Sequence, residues 1–558
     1  MINANDWHAA DDMILESSAD EAIRERECNV VVTAGPGSGK TELLAQRADF
    51  LLRTGACPYP MRILAISFKT DAAKNLRDRV RRRCGNDLAG RLDSYTFHAF
   101  AKHLIDNYRL VLTPEHALSP MYTIDPERRI LHQQITFNDL VPLGIEVLER
   151  SSYALNGLRQ TYSHVFLDEF QDATRCQYEL VKRAFLDSPA VLTAVGDTMQ
   201  RIMSWAGALD GILKTFATDF NARDDLILRQ NYRSDPVLRR MQNRMIKAMA
   251  PSSAVPADAI PGTAGRVDVM RFSNDDEEAQ TVAVQVQRWT QEGTPPKEIA
   301  VLVRQQPAIV AAKVVAELFR LGIATRDEAS LQDLTAEPVA ALILDLLRVL
   351  VANRQAGPYQ RLLSAVTRAG FDDESTQRFE SSIRRFLYDQ RAKAQARMSA
   401  MTYPDWKGIV DEFLKLVTKP TVVALSVTYQ QGSRLQDVID ETLTALADHL
   451  RIDNDIRLAL KKLSGDDSVR ILTIHKSKGL EFGKVIILGV ERQLFWHKDQ
   501  KGREETSSTF FVGISRAKHD LLLTVAESRM RPVDFTKSWD IKRTPHEEFL
   551  AYAKEPPF

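Results

Sequence analysis

The chain has 558 residues, 44% of them hydrophobic and 27% charged, a composition that suits several soluble globular domains rather than one core. Lysine plus arginine and aspartate plus glutamate both total 74, so no global charge argues for nucleic acid and any such argument must be local. No apolar run approaches the roughly 18 residues of a membrane span, the polar start Met1–Trp7 does not read as a secretory signal, and the scattered Cys28, Cys57, Cys84 and Cys176 lack metal-ligand spacing and suit a reducing cytoplasm.

In chain order, the β-branched run Val30–Val32 leads into Gly35-Pro-Gly-Ser-Gly-Lys-Thr, and a helical pattern follows. This is a strand, phosphate loop and helix. Glycines let backbone N–H groups close on phosphate oxygens, and the helix N-terminus adds its positive dipole end. Gly35, Pro36, Gly37, Ser38 and Gly39 would form the cradle. Lys40 would reach the β and γ phosphates, and Thr41 would hold Mg²⁺. Further short apolar runs read as buried strands: Ile63–Ser67, His164–Leu167, Val191–Val195, Leu226–Leu228, Ile299–Val303, Arg470–Thr473, Val485–Gly489 and Leu521–Val525. Strands alternating with helices predict parallel sheets covered by helices on both faces. Two stretches, about 100–155 and about 346–466, show helical periodicity with few strand candidates and read as insertions. Between them Pro251–Pro261 reads as a linker or long loop. Arg77-Asp-Arg-Val-Arg-Arg-Arg reads as a basic helix that would hold phosphates or face solvent. Val165-Phe-Leu-Asp-Glu-Phe-Gln-Asp sets Asp168 and Glu169 at the end of an apolar strand. There one carboxylate would bind Mg²⁺ through water while its neighbour activates the attacking water.

Taken together, the motifs resemble those of UvrD/Rep-type DNA helicases of superfamily 1, in the family's order. They are Gly35–Thr41; Ile63-Leu-Ala-Ile-Ser-Phe-Lys-Thr-Asp-Ala-Ala; Thr96-Phe-His-Ala-Phe; Asp168-Glu-Phe-Gln-Asp; Val195-Gly-Asp-Thr-Met-Gln; Gln230-Asn-Tyr-Arg-Ser; Thr473-Ile-His-Lys-Ser-Lys-Gly-Leu-Glu-Phe; and Val512-Gly-Ile-Ser-Arg-Ala. The resemblance implies an α/β fold of two RecA-like parallel-sheet motor domains, each with a mainly helical insertion. Residues 1–99 and 156–222 would form the first motor domain around insertion 100–155. Residues 223–345 and 467–558 would form the second around insertion 346–466. Roles carry over where residues match. Gln200 resembles the sensor linking the γ-phosphate to the DNA groove, and Arg233 and Arg516 resemble paired arginine fingers. Tyr232 resembles the aromatic that stacks on the nucleobase, and Glu481 the group that meets the ribose. Phe68 and Trp205 resemble the aromatics on which DNA bases stack, which suits a motor that ignores sequence. Thr96, His98 and His475 fit nucleic-acid backbone contacts. ATP and Mg²⁺ follow, with 3′→5′ movement on single-stranded DNA in DNA repair or phage defence. A separate nuclease is a partner suggested by analogy alone.

The chain departs from the family pattern at several positions. Ala19 stands where the family places a base-reading Gln, and Glu42 stands where an Arg sandwiches the base, so looser nucleotide choice is expected. Met203 and Ala206 replace a common Tyr and Arg, which leaves Trp205 more of the stacking. The duplex-contacting loop of the second insertion has only Thr367-Arg-Ala-Gly-Phe as a remnant, and both insertions are short, so translocation is more secure than unwinding. Two rivals stand beside the motor: an ATP-controlled DNA-binding effector that licenses a nuclease with little unwinding, and an RNA translocase, which a stacking groove does not exclude.

Overall fold

The computed structural model describes residues 1–554 except 11–12, 69, 126–127, 204–206, 328–333, 336, 353–354, 367–372, 466 and 532–538. Its strands, in chain order, are β1 (Val30–Ala34), β2 (Arg62–Ser67), β3 (Leu92–Thr96), β4 (Thr123–Asp125), β5 (Gln134–Thr136), β6 (Tyr162–Asp168), β7 (Val191–Gly196), β8 (Arg223–Leu228), β9 (Arg266–Phe272), β10 (Ile299–Val303), β11 (Thr325–Asp327), β12 (Val469–Thr473), β13 (Phe482–Ile487) and β14 (Ala517–Ala526). Two six-stranded sheets result, ordered β3-β2-β6-β7-β1-β8 and β11-β12-β10-β13-β14-β9, with every pairing parallel. Parallel strands need crossover connections, and those connections cover both faces.

The apolar runs of the first sheet serve two cores at once because successive side chains point to opposite faces. Val30, Val32, Ala34, Ile63, Ala65 and Phe166 join one cluster, while Val31, Leu64, Ile66, Val165 and Leu167 join another. The first cluster is covered by helices α1 (Ser17–Arg24), α2 (Lys40–Thr54) and α3 (Thr70–Ala89); the second is covered in part by α4 (Phe97–Tyr108) and α5 (Phe137–Arg150). The second sheet has its own core around Val301, Leu302, Ile486 and Leu523.

The stretch 100–155 is mostly helical, with the small β4–β5 pair between its helices. The second helical stretch opens with the helix Pro338–Val351, earlier than position 346, and its core runs from Val339 to Leu463. It hangs between β11 and β12, which are neighbours in one sheet. Strands β3, β9 and β11, which lack a continuous apolar run, all lie at or beside sheet edges: β3, β9 and β11 are terminal strands. Val485–Gly489 is displaced: the strand is Phe482–Ile487, and Gly489 turns away with φ 71°. Pro251–Pro261 is a loop carrying two short 3₁₀ turns. All four cysteines are free thiols, and among the described residues no helix is long and apolar enough to cross a membrane.

Candidate active site and groove

The phosphate loop joins β1 to α2. Gly37 and Gly39 take φ of 68° and 83°, the left-handed region that favours glycine. At Gly37 a Cβ would also come within 2.7 Å of the Arg233 Cβ, so the loop and the β8 segment approach more closely than a side chain allows. Ser38 Oγ donates to the Gly35 carbonyl at 2.8 Å, closing the turn. Lys40 and Thr41 then occupy the first turn of α2. Lys40 Nζ lies 3.6 Å from Glu169 Oε1.

Asp168 ends β6 and is 2% exposed. Its Oδ1 accepts the Glu169 N–H at 2.9 Å, and its Oδ2 is buried with no partner among the described residues. Beside it in register on β2 stands Ser67, whose buried hydroxyl is likewise unpartnered. Burial, then the charge of Glu169, raises the Asp168 pKa against the pull of Lys40. Glu169 responds oppositely. Burial raises its pKa, but Lys40, Lys478, a Gln171 hydrogen bond and Arg516 together bring it below the ordinary carboxylate range. Its backbone takes φ 51°, an uncommon conformation for a non-glycine residue that turns the chain sharply after the strand.

Residues from the second sheet reach this end of the first. Arg516, 2% exposed, donates from Nη2 to Gln200 Oε1 at 2.9 Å and from Nη1 to the Leu480 carbonyl at 3.1 Å. Burial, then Arg233, lowers its pKa to about 9, so it stays a cation at neutral pH. Gln200 Nε2 donates to Asp197 Oδ2 at 2.7 Å. Arg233 Nε donates to Glu481 Oε2 at 2.8 Å, and Lys518 Nζ lies 3.1 Å from Glu481 Oε1. Tyr232 is tied to the phosphate loop through its backbone N–H, which donates to the Gly37 carbonyl at 2.9 Å, while its side chain stands in solvent, the residue being 55% exposed.

Three residues of this cleft lack an assigned part in the sequence reading. Lys478 Nζ pairs with Asp172 Oδ2 and donates to the Gln200 carbonyl at 2.7 Å, all in buried surroundings. Gln171 Nε2 donates to Glu169 Oε2 at 2.6 Å, and its Oε1 accepts the Asp197 N–H at 3.0 Å. Lys478 and Asp172 lie inside the quoted motifs, but nothing in their spacing showed that they would meet across the cleft.

The groove lies beside this cleft as a cavity of about 1160 Å³. Phe68, Thr96, His98, Lys102 and Lys476 line one side. The Thr96 hydroxyl accepts the Ala99 N–H at 3.2 Å and so also caps α4. Burial lowers the His98 pKa, and its ring meets Phe137 edge-on at 6.3 Å. His475 is not among the lining residues; its Nδ1 lies 3.4 Å from Arg304 Nη1. The far wall is the helix Arg434–Asp453, presenting Asp437, Asp440, Glu441 and Asp448. Gln431 and Gly432, just before that helix, meet the first insertion. Gln431 Nε2 donates to the Asp106 carbonyl at 3.4 Å, and a Cβ on Gly432 would come within 2.8 Å of the Tyr122 carbonyl oxygen.

Trp205 and Ala206 lie outside the described residues, as does Thr367-Arg-Ala-Gly-Phe. Met203 packs partly buried against the second core. Ala19 is buried in α1. Glu42 is bound by Arg79 Nη1 at 2.7 Å, by Arg83 and by Gln46 Nε2 at 3.0 Å. Arg77 donates to the Ser94 carbonyl at 2.7 Å, so three arginines of the basic helix are engaged by the fold itself.

A phosphate loop at the end of one parallel sheet, met by buried cations from a second, defines a two-domain nucleotide-hydrolysing motor. Residues 15–133 and 113–221 match the UvrD/REP helicase N-terminal domain, and residues 226–390 and 420–528 match the UvrD-like helicase C-terminal domain. The chain belongs to the UvrD/Rep helicase family, and its two sheets are the RecA-like domains of an ATP-hydrolysing DNA helicase. It is 23% identical to ATP-dependent DNA helicase PcrA of Staphylococcus epidermidis, over 92% of this chain and 84% of the relative. It is 24% identical to DNA helicase II of Escherichia coli, over 91% and 84%. PcrA of Staphylococcus aureus is 22% identical, over 95% and 86%.

Proposed function

We infer that this chain is an ATP-driven motor that steps 3′→5′ along single-stranded DNA. The observation that carries the reading is the 2.9 Å bond from Arg516 to Gln200, which runs from one sheet's side chain to the other's at the cleft. A cation fixed there can respond to phosphate charge and pass the change to the second domain. Residues 1–99 with 156–222 act as one motor domain and the second sheet with its helices, within 223–337 and 467–558, as the other, while 100–155 and the helical stretch that opens at Pro338 are the insertions over the groove.

Gly35–Thr41 cradle the phosphates, with Lys40 on the β and γ groups. Thr41 and Asp168 would hold Mg²⁺, and the donor set fits: a hydroxyl at the head of α2 and a buried carboxylate oxygen without a partner. When bound, the ion neutralises charge between the phosphates. Glu169, kept ionised by Lys40 and Lys478, orients the attacking water and takes its proton. Arg516 and Arg233 donate to the phosphoryl oxygens as charge spreads over them. Tyr232 stacks on the base, and Glu481 meets the ribose once Arg233 turns to phosphate. Phe68 and Trp205 stack on DNA bases, with Thr96 and His98 along the backbone.

The test is steady-state ATPase without nucleic acid and with single-stranded DNA, single-stranded RNA and duplex, paired with streptavidin displacement from each end of a single strand. The reading expects strong stimulation by single-stranded DNA and displacement from the 5′ end only. Stimulation by RNA alone, or displacement from the 3′ end, would overturn it.

A further inference from the structure

Glu16 is the residue before α1, and its backbone carbonyl accepts from Ala19 and Asp20 as the helix begins. Its side chain makes no capping bond to that helix. It reaches instead to the segment after β8, where Oε2 accepts the Arg229 N–H at 3.3 Å. Three residues on is Tyr232, the exposed aromatic anchored to the phosphate loop through Gly37. Burial, then the negative charge of Glu16, holds the Tyr232 phenol above its ordinary pKa.

A nucleotide whose phosphates lie in Gly35–Thr41 and whose base lies on Tyr232 brings the base edge beside Glu16. The acidic side chain that directly follows the loop, Glu42, is taken up by Arg79, Arg83 and Gln46. Glu16 accepts a single hydrogen bond among the described residues, and a carboxylate offers about four acceptor positions. An ionised carboxylate only accepts, so it favours a base edge that donates.

We propose that Glu16 is the specificity-determining residue of the nucleotide site and reads an amino group on the base. Adenine offers its 6-amino group and guanine its 2-amino group with the adjacent ring N–H, so both triphosphates are taken, and bases lacking the amino group are disfavoured. The inference rests on the motor reading above for the placement of the phosphates.

The test compares kcat/KM for ATP against purine riboside triphosphate, which lacks only the 6-amino group, and for GTP against ITP, in the unaltered chain, Glu16→Gln and Glu16→Ala. A hydrogen bond to a charged group predicts that the unaltered chain disfavours purine riboside triphosphate on the order of tenfold or more. Glu16→Ala should bring the two nucleotides together by lowering ATP use, and Glu16→Gln, which keeps an acceptor oxygen, should retain part of the preference. Equal use of both nucleotides by the unaltered chain overturns the proposal. An equal loss for both in Glu16→Ala, with the preference intact, also overturns it, because Glu16 would then merely hold the Arg229–Tyr232 segment. Lys40→Ala is the separate control: hydrolysis that survives it would sink the phosphate-loop reading rather than the role of Glu16.

Discussion

Glu169 and Asp168 are adjacent carboxylates that the fold treats differently. Glu169 is surrounded by cations and stays ionised; Asp168 is buried against it with one oxygen free. On the proposed mechanism, replacing Glu169 with Gln removes the proton acceptor and leaves the phosphate cradle intact. Turnover should fall at least a hundredfold while ATP still binds, as equilibrium binding of a fluorescent ATP analogue and ATPase would show together. Arg516→Ala should slow hydrolysis on the order of a thousandfold with modest change in ATP affinity, the scale of an arginine finger. A loss under tenfold would leave Arg516 as a structural cation. The parts of the site built from contiguous residues were legible: the loop Gly35–Thr41 and the strand-end pair need only local spacing. Lys478 with Asp172, and Glu16 with Arg229, were not, because each pair is far apart in sequence and joined only by the packing of elements.

At the scale of elements, the groove has one mainly acidic wall. Lys476 lies on one side, where Lys102 is buried and paired with Asp106, and the helix Arg434–Asp453 turns Asp437, Asp440, Glu441 and Asp448 to the other, with Arg434 at its start. A polyanion in that space is repelled by the helix and held toward Phe68 and Thr96. Neutralising the four carboxylates with Asn and Gln should tighten single-stranded DNA binding severalfold at low salt, and the gain should shrink as ions screen it. Anisotropy of a labelled oligonucleotide across a salt series measures this; weaker binding would mean that the helix grips the strand through these side chains. The strands themselves divide along a related line. Central strands such as Ile299–Val303 are covered on both faces and read as unbroken apolar runs. Leu92-Asp-Ser-Tyr-Thr, Arg266-Val-Asp-Val-Met-Arg-Phe and Thr325-Arg-Asp end their sheets with a neighbouring strand on one side only, and the polar residues they carry hide the strand signal. Glu42 gives a converse case: its charge looked like a loss to the nucleotide pocket, and the structure spends it on Arg79 and Arg83.

Across the whole molecule, the two sheets meet through buried polar contacts, Arg516 with Gln200 and Lys478 with Asp172. Removing one member of a buried ion pair leaves the other uncompensated at a cost of about 3–5 kcal/mol. Lys478→Met should therefore lower the thermal unfolding midpoint and weaken stimulation of ATPase by DNA, whereas Lys518→Met, at a half-exposed pair, should leave the midpoint nearly unchanged. Output should also divide by substrate. Stacking on the groove aromatics contributes about 1–3 kcal/mol per base, while opening duplex opposes about 1.4 kcal/mol per base-pair step. The isolated chain should clear streptavidin from single strands and stall on long forked duplexes. Processive unwinding of kilobase duplex by the chain alone would contradict this.

The second insertion leaves its sheet after β11 and returns at β12, strands that lie side by side at one edge. A pull on the insertion reaches this sheet across a single pair of neighbouring strands, beside the contact that Gln431 and Gly432 make with the first insertion. The chain leaving β12 runs directly into His475, Lys476 and Lys478, and Lys478 is bonded to Asp172 and Gln200. Drag on the insertion therefore has a direct route to the cleft through one short length of backbone. Under an opposing load in an optical trap, stepping and ATP consumption should slow together, and in Lys478→Met, where stimulation by DNA is already weakened, the remaining consumption should no longer respond to load.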